Sequence, residues 1–215
     1  MNASNASHSR STTDGSGGPD NLLSGCAPRT GSDASPTNLP QSAQASLLKK
    51  RRIIDFPGVP HYVTFSTYQR RQFLAPERTK SIVVESLQMC LQSHRATCHG
   101  FVIMPDHVHA ILSIDPTSKI ASFLQPWKKT SSYRIGQFYK QEFSTYRAHC
   151  PRDCPIWQAK YYSYLIESDE KLSEKLDYMH NNPVVACLTR NYLDWNWSSA
   201  PFYAEGKSVG VTITP

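Results

Sequence analysis

The sequence predicts an α+β fold, a mainly antiparallel sheet with helices packed on one face. Three observations carry this reading. Short runs of alternating aromatic and β-branched residues recur between segments of helical periodicity. Two of those runs are separated only by Pro105-Asp106, the spacing of a tight antiparallel connection. The first aromatic residue of the 215-residue chain is Phe56, so the fold has to be built from residues beyond the N-terminal fifth.

In chain order, His61 to Thr67 (HYVTFST) alternates as a strand does. Residues Pro76 to about Ser93 place Ile82, Val83, Leu87, Met89, Cys90 and Leu91 on a broad face at helical spacing. Cys98 to Met104 and His107 to Ser113 are the second and third strands. A helix over about Ser118 to Tyr139 presents Ile120, Phe123, Leu124, Trp127 and Tyr133 to the core, and Pro126 should kink or split it. Thr145 to Pro155 is a loop and Trp157 to Ile166 a further strand. Ser168-Asp169 caps a helix from about Glu170 to Asn182, which Pro183 should end. Trp195, Trp197, Phe202 and Tyr203 are expected to lie back on the domain.

Composition sets the organisation. Residues 1–47 are rich in Ser, Asn, Gly, Pro and Ala and cannot bury enough apolar surface to offset their ordering entropy, so a disordered tail is expected there. A basic linker at 48–55 leads into a domain at 56–205, with a C-terminal tail at 206–215. The N-terminal tail holds two arginines and three aspartates, so the net charge of +6 belongs to the remainder, which carries +7 and leans toward a polyanionic partner. The run Lys49-Lys50-Arg51-Arg52 is either a solvated linker or an arm that contacts phosphates, with Arg51 and Arg52 as DNA-binding candidates. No apolar stretch approaches bilayer length and no secretory pattern opens the chain, so a cytoplasmic location is expected, without a membrane partner. The six cysteines lack a disulfide framework and are expected to be buried, reduced thiols; the half-site His149 to Cys154 has no second half to complete a zinc centre.

Two constellations carry chemistry. In His107-Val108-His109 the two imidazoles sit at i and i+2 of a strand and project from the same face, an arrangement that suits a divalent metal, although the motif alone is more often two polar residues on a solvated face. Tyr178 and Asn182 sit at i and i+4 of a helix, one turn apart. A tyrosine hydroxyl attacks a phosphodiester when a metal neutralises the non-bridging oxygens, and an amide oxygen one turn away can complete the metal site. Taken alone, Tyr178 is better read as a half-buried helix aromatic with its hydroxyl in water.

Longer motifs join these two. MPDHVHAIL (104–112) and WQAKYYSYLIESDEKLSEKLDYMHNNPVVACL (157–188) together resemble the REP-associated tyrosine transposases, within the single-tyrosine HUH transposases of bacterial insertion sequences. The matching features are His107 and His109, Trp157-Gln158 with Tyr161-Tyr162, Asp177-Tyr178-Met179 with Asn182-Pro183-Val184, and then Asp194-Trp195, Trp197-Ser198-Ser199-Ala200 and Tyr203. Each motif is weak alone, but their order across residues 56–203 is specific. The resemblance implies a ferredoxin-like, RRM-like HUH fold, with His107, His109 and Asn182 holding Mg²⁺ or Mn²⁺ and Tyr178 as the nucleophile. It further implies a 5′-phosphotyrosine intermediate, strand transfer, and single-stranded hairpin DNA at palindromic repeats as substrate. The protein would be nucleoid-associated and act as a monomer or a homodimer. Lys128, Lys129, Arg134 and Lys140, interleaved with Trp127, Tyr133 and Tyr139, are either DNA contacts or a solvated helix face with its aromatics in the core; Arg70 and Arg71 are further candidates. The chain departs from the family at Tyr164 and Glu167, where relatives commonly carry histidine and arginine. Two other functions compete: a domesticated hairpin-binding protein that no longer cuts, and a metal hydrolase using the two histidines with Asp106.

Overall fold

A computed structural model describes residues 58–115, 117–142 and 154–215. The predicted tail, the linker with Arg51 and Arg52, and most of the 145–155 loop lie outside them. The described residues fall in one compact unit, Ser46–Pro215. Its strands are β1 (His61–Ser66), β2 (Thr97–Ile103), β3 (His107–Ser113) and β4 (Tyr162–Leu165). Its helices are α1 (Glu77–Ser93), α2 (Ile120–Glu142), α3 (Asp169–Val185) and α4 (Ala200–Glu205). The sheet order is β2-β3-β1-β4 and every pairing is antiparallel. With the chain order β-α-β-β-α-β, this is the ferredoxin-like split arrangement.

The two faces of the sheet do different work. Val63, Phe65, Phe101, Ile103, Val108, Ala110 and Leu112 point to the side covered by α1 and α2 and form the main core with Ile82, Val83, Leu87, Phe123, Leu124 and Trp127. The alternate residues Tyr62, Val102 and Ile111 meet Met179, Leu172 and Leu176 of α3. The α1 and α2 layer is thus the expected helical face, while α3 lies across the opposite one. That placement sets up the site, because both histidines point toward α3.

Several elements differ from expectation for local reasons. Helix α2 is continuous through Pro126, because Phe123, Leu124 and Trp127 are all buried around it and hold it to the core. Pro183 does not end α3: the helix runs on to Val185, with the proline ring buried and Ala186 N–H donating to the Asn182 carbonyl. The predicted Trp157–Ile166 strand is regular only over Tyr162–Leu165; ahead of it Trp157 makes a single bridge to Thr67. Met89 and Tyr133 are exposed rather than core residues. Ser168 caps α3 as expected, accepting from Lys171 N–H at 3.3 Å. The C-terminal aromatics do lie back on the domain. Trp195 Nε1 donates to the Ile103 carbonyl and the Tyr203 hydroxyl to the His99 carbonyl. Val211 and Ile213 are buried as well, Ile213 bridging Cys98 on β2. Cys90 and Cys98 are buried free thiols, but Cys154 is half-buried, and Cys187 is exposed and disulfide-bonded, so the expectation of reduced, buried cysteines fails there.

Gly100 fixes how closely α3 can approach the sheet. A Cβ placed on it would lie 2.5 Å from Leu176 Cδ2, 2.8 Å from Met179 Cε and 3.1 Å from Ser199 Oγ. Met179 and Ser199 are fully buried, so little room exists to yield. Gly100→Ala is expected to cost about 1–3 kcal/mol, the range for overpacking a filled core. Chemical denaturation measures this, and an unchanged midpoint would mean that α3 seats without the glycine.

Candidate active site

The histidine pair is built by the β2–β3 hairpin and its neighbours. Met104 N–H donates to the His107 carbonyl at 2.8 Å, closing the Pro105-Asp106 turn. Thr67 clamps that turn from one side, its N–H and Oγ1 both donating to the Asp106 carbonyl at 2.9 Å, and Leu74 N–H donates to the Pro105 carbonyl on the other. Strand register then sets Thr64 opposite His109 and Ser66 opposite His107.

Each imidazole is held by its Nδ1. His107 Nδ1 lies 2.6 Å from Asp106 Oδ1. His109 Nδ1 lies 2.8 Å from the Tyr62 hydroxyl and 2.6 Å from Thr64 Oγ1. The Nε2 atoms consequently face each other at 3.1 Å. Burial, then the charges of His107 and Arg70, pushes His109 down to about 3, against the opposing pull of Asp106 and a hydrogen bond with Asn182, so its imidazole is neutral at ordinary pH. Burial raises the Tyr62 phenol above its usual value and keeps the hydroxyl protonated. Asp106 responds oppositely. Burial would raise its carboxyl, but the hydrogen bond and charge of His107 together with Arg70 outweigh that and hold it low.

Arg70 reaches Asp106 from an unusual backbone. Gln69 and Arg70 both adopt left-handed φ, 53° and 55°, and the Arg70 side chain turns back onto the end of β1 and the β2–β3 turn. Its Nε pairs with Asp106 Oδ2 at 2.9 Å and its Nη1 donates to Ser66 Oγ at 3.0 Å. The guanidinium remains half exposed beside the histidines.

Helix α3 supplies the other half. Met179, buried on the sheet, and Leu172 and Leu176, partly buried there, set the helix rotation. A second anchor is His180, whose Nε2 lies 2.7 Å from Ser199 Oγ, which in turn accepts from Phe101 N–H at 3.0 Å on β2. This rotation brings the Tyr178 ring to 6.1 Å from the His109 ring and 6.5 Å from that of Tyr62, with 58% of the residue exposed. Asn182 donates from Nδ2 to the Tyr178 carbonyl at 2.8 Å, and its side-chain amide also reaches His109. His107, His109, Tyr178 and Asn182 are therefore brought together from two separate elements.

The donor set fits a divalent cation. Two ligands about 2.1 Å from one ion and at right angles lie roughly 3 Å apart, close to the separation of the Nε2 atoms. The Nδ1 partners are of the kind that orient ligating histidines. Among the described residues no group of three or more His, Cys, Asp or Glu converges on a metal position, so a third protein ligand would have to be the Asn182 amide.

The basic residues of α2 lie elsewhere. They belong to the helix that packs on the opposite sheet face, with Trp127 and Tyr139 buried in the core. Lys128 Nζ donates to the Gln158 and Ala159 carbonyls, and burial lowers its pKa. Arg134 pairs with Glu85, whereas Lys129 and Lys140 are exposed. The structure does not bring these four to the histidine site. Tyr62, Thr64 and the Arg70–Asp106 link were missed as parts of the site. The i, i+2 spacing of Tyr62 and Thr64 was visible, but not the register that sets them against His109.

Comparison with known proteins agrees with this architecture. The IS200-like transposase family model matches residues 59–182. A Haemophilus influenzae protein assigned as a REP-associated tyrosine transposase is 26% identical over 130 residues, covering 57% of this chain and 73% of that protein. A second, uncharacterized H. influenzae protein is 27% identical over 104 residues, 44% of this chain and 58% of its own length. Among solved structures, a REP-associated tyrosine transposase bound to a REP hairpin superposes with a TM-score of 0.60 at 17% identity, over 78% of this chain and 93% of that one, and shares the fold. No helix among the described residues is long and apolar enough to cross a membrane. Because the family model spans more than half of the chain, the chain belongs to the IS200-like transposase family.

Proposed function

We propose that the protein nicks single-stranded DNA beside a hairpin and transfers the cut strand, with Tyr178 as the nucleophile. The observation that supports this best is the convergence of an exposed tyrosine on a pair of oriented, Nε2-facing histidines with the Asn182 amide beside them. A Mg²⁺ or Mn²⁺ ion held by His107, His109 and Asn182 would supply charge neutralisation at the scissile phosphate. Tyr178 Oη attacks phosphorus and its proton leaves to solvent. The bond to the 3′ oxygen breaks and that oxygen takes a proton from solvent, giving a 5′-phosphotyrosine and a free 3′-hydroxyl. A 3′-hydroxyl from a second strand reverses the step, so no external energy source is needed. Arg70, half exposed and paired with Asp106, would contact the phosphate oxygens while it holds that carboxylate.

The substrate in this reading is a palindromic repeat extruded as a hairpin, consistent with the DNA named for the solved transposase of the same fold. Lys128, Lys129, Arg134 and Lys140, away from the histidine site, remain proposed DNA contacts, as do Arg51 and Arg52 outside the described residues, and a cytoplasmic, nucleoid-associated protein acting as monomer or homodimer is part of the same proposal. Incubating the full chain with single-stranded hairpin DNA from the flanks of its gene, with Mg²⁺, should give a complex that survives denaturing electrophoresis. Tight hairpin binding with no covalent complex in Mg²⁺ or Mn²⁺ would instead identify a binding protein.

A further inference from the structure

Beside the candidate active site lies a cleft of ≈ 200 Å³ lined by Tyr62, Tyr162, Tyr164, Lys175 and Tyr178. Two of its walls are already placed by the site: Tyr62 touches His109, and Tyr178 is the proposed nucleophile. The other three residues have no part in the histidine geometry. Tyr162 and Tyr164 stand at i and i+2 of β4, so they share a face, and register sets Tyr164 opposite Tyr62 and Tyr162 opposite Thr64. Both are open to solvent, at 40% and 38%, on the short edge strand of the sheet. Lys175 sits three residues before Tyr178 on α3 and holds its Nζ 5.7 Å from the centre of the Tyr164 ring. The same Nζ contacts Glu174 at 3.0 Å, an exposed pair that water screens and a phosphate can displace.

Neither tyrosine of β4 belongs to either apolar core. What they offer is two phenol faces, two hydroxyls and a cation around a small open space. Stacking on aromatic rings beside a positive charge is how proteins hold single-stranded nucleic acid. The cleft is smaller than the roughly 300–1,000 Å³ of pockets for drug-sized ligands, which fits one ring system and not a base pair. We infer that Tyr162, Tyr164 and Lys175 form a seat for one unstacked nucleobase, on the nucleotide next to the phosphate that Tyr178 attacks. Tyr162 and Tyr164 hold the base and Lys175 contacts its phosphate. Seating that nucleotide fixes which phosphate reaches the tyrosine, so the cleft positions the cut. This rests on the proposed DNA-cleaving function.

The test uses the full chain and single-stranded hairpin oligonucleotides from the gene's flanks, with 2-aminopurine replacing one unpaired nucleotide at a time. Binding and fluorescence are read in chelator, and covalent complex is read separately in Mg²⁺. Quenching is expected at one position adjacent to the cut. Tyr162→Ala and Tyr164→Ala should each relieve that quenching and weaken binding about 5- to 150-fold, the range for losing one stacking ring. Tyr164→Phe should keep both. Tyr164→Leu, which preserves an apolar edge strand without a ring face, should behave as the alanine variant and removes misfolding as an explanation. Covalent complex with no quenched position, or with quenching unchanged in the Ala and Leu variants, overturns the seat and leaves the cleavage reading standing. Tyrosine-dependent quenching without covalent complex supports a base seat but removes cleavage and, with it, the positioning of a cut. Absence of any binding overturns both.

Discussion

Tyr178→Phe should abolish the covalent protein–DNA complex while leaving fold and hairpin binding in place. The substitution removes one oxygen and almost no volume. The residue is mostly exposed and α3 is anchored by Met179, His180 and Leu176 instead, so the helix has no reason to move. The aromatic ring remains to face Tyr62 and His109. Loss of the nucleophile should lower adduct formation by at least about three orders of magnitude, the scale on which removing a catalytic nucleophile acts. Other hydroxyls are close: Tyr62 is buried against His109, and Tyr162 and Tyr164 line the neighbouring cleft. Peptide mapping of the trapped complex decides among them. A modified peptide from β1 or β4, or adduct formed by the Phe variant, would remove Tyr178 from the role assigned to it.

His107→Ala and His109→Ala should each reduce cleavage by at least about 100-fold with a much smaller effect on hairpin affinity. Even the outer partners of metal-ligating histidines are worth about 10–100-fold, so loss of a ligand should exceed that range. Asp106→Asn provides an internal scale. It keeps a partner for His107 Nδ1 but discards the charge that pairs with Arg70, and should fall within the 10–100-fold window. Added Mn²⁺ should partly rescue Asp106→Asn and neither histidine variant. Full activity in chelator, or in either alanine variant, would exclude the metal from the mechanism.

The strands, the three long helices and their order were legible in the sequence because each has a strong local signal, whereas the short α4 was not read from it. Examples are alternation over 61–67, the Pro105-Asp106 punctuation, helical spacing over 76–93 and the Ser168 cap. The pairing of His107 with His109 was legible for the same reason, since two residues apart on a strand means one face. The i, i+4 relation of Tyr178 and Asn182 was equally local. Errors arose where tertiary packing overrode a local rule. Pro126 and Pro183 both stay inside helices whose neighbouring side chains are buried, and the packing gained there outweighs one lost backbone hydrogen bond.

What only the tertiary structure decided is the meeting of the two pairs. Which face of the sheet α3 covers, and how it is rotated, depend on Gly100 admitting Leu176 and Met179 and on the His180–Ser199–Phe101 link. The partners that orient the imidazoles came from strand register, which joins residues 45 to 47 positions apart and leaves no periodic trace in the sequence. The same long-range packing put the basic residues of α2 on the far side of the sheet and gathered Tyr62, Tyr162, Tyr164 and Lys175 around Tyr178. Local periodicity tells which side chains share a face of one element; only the docking of elements through their apolar faces tells which faces meet.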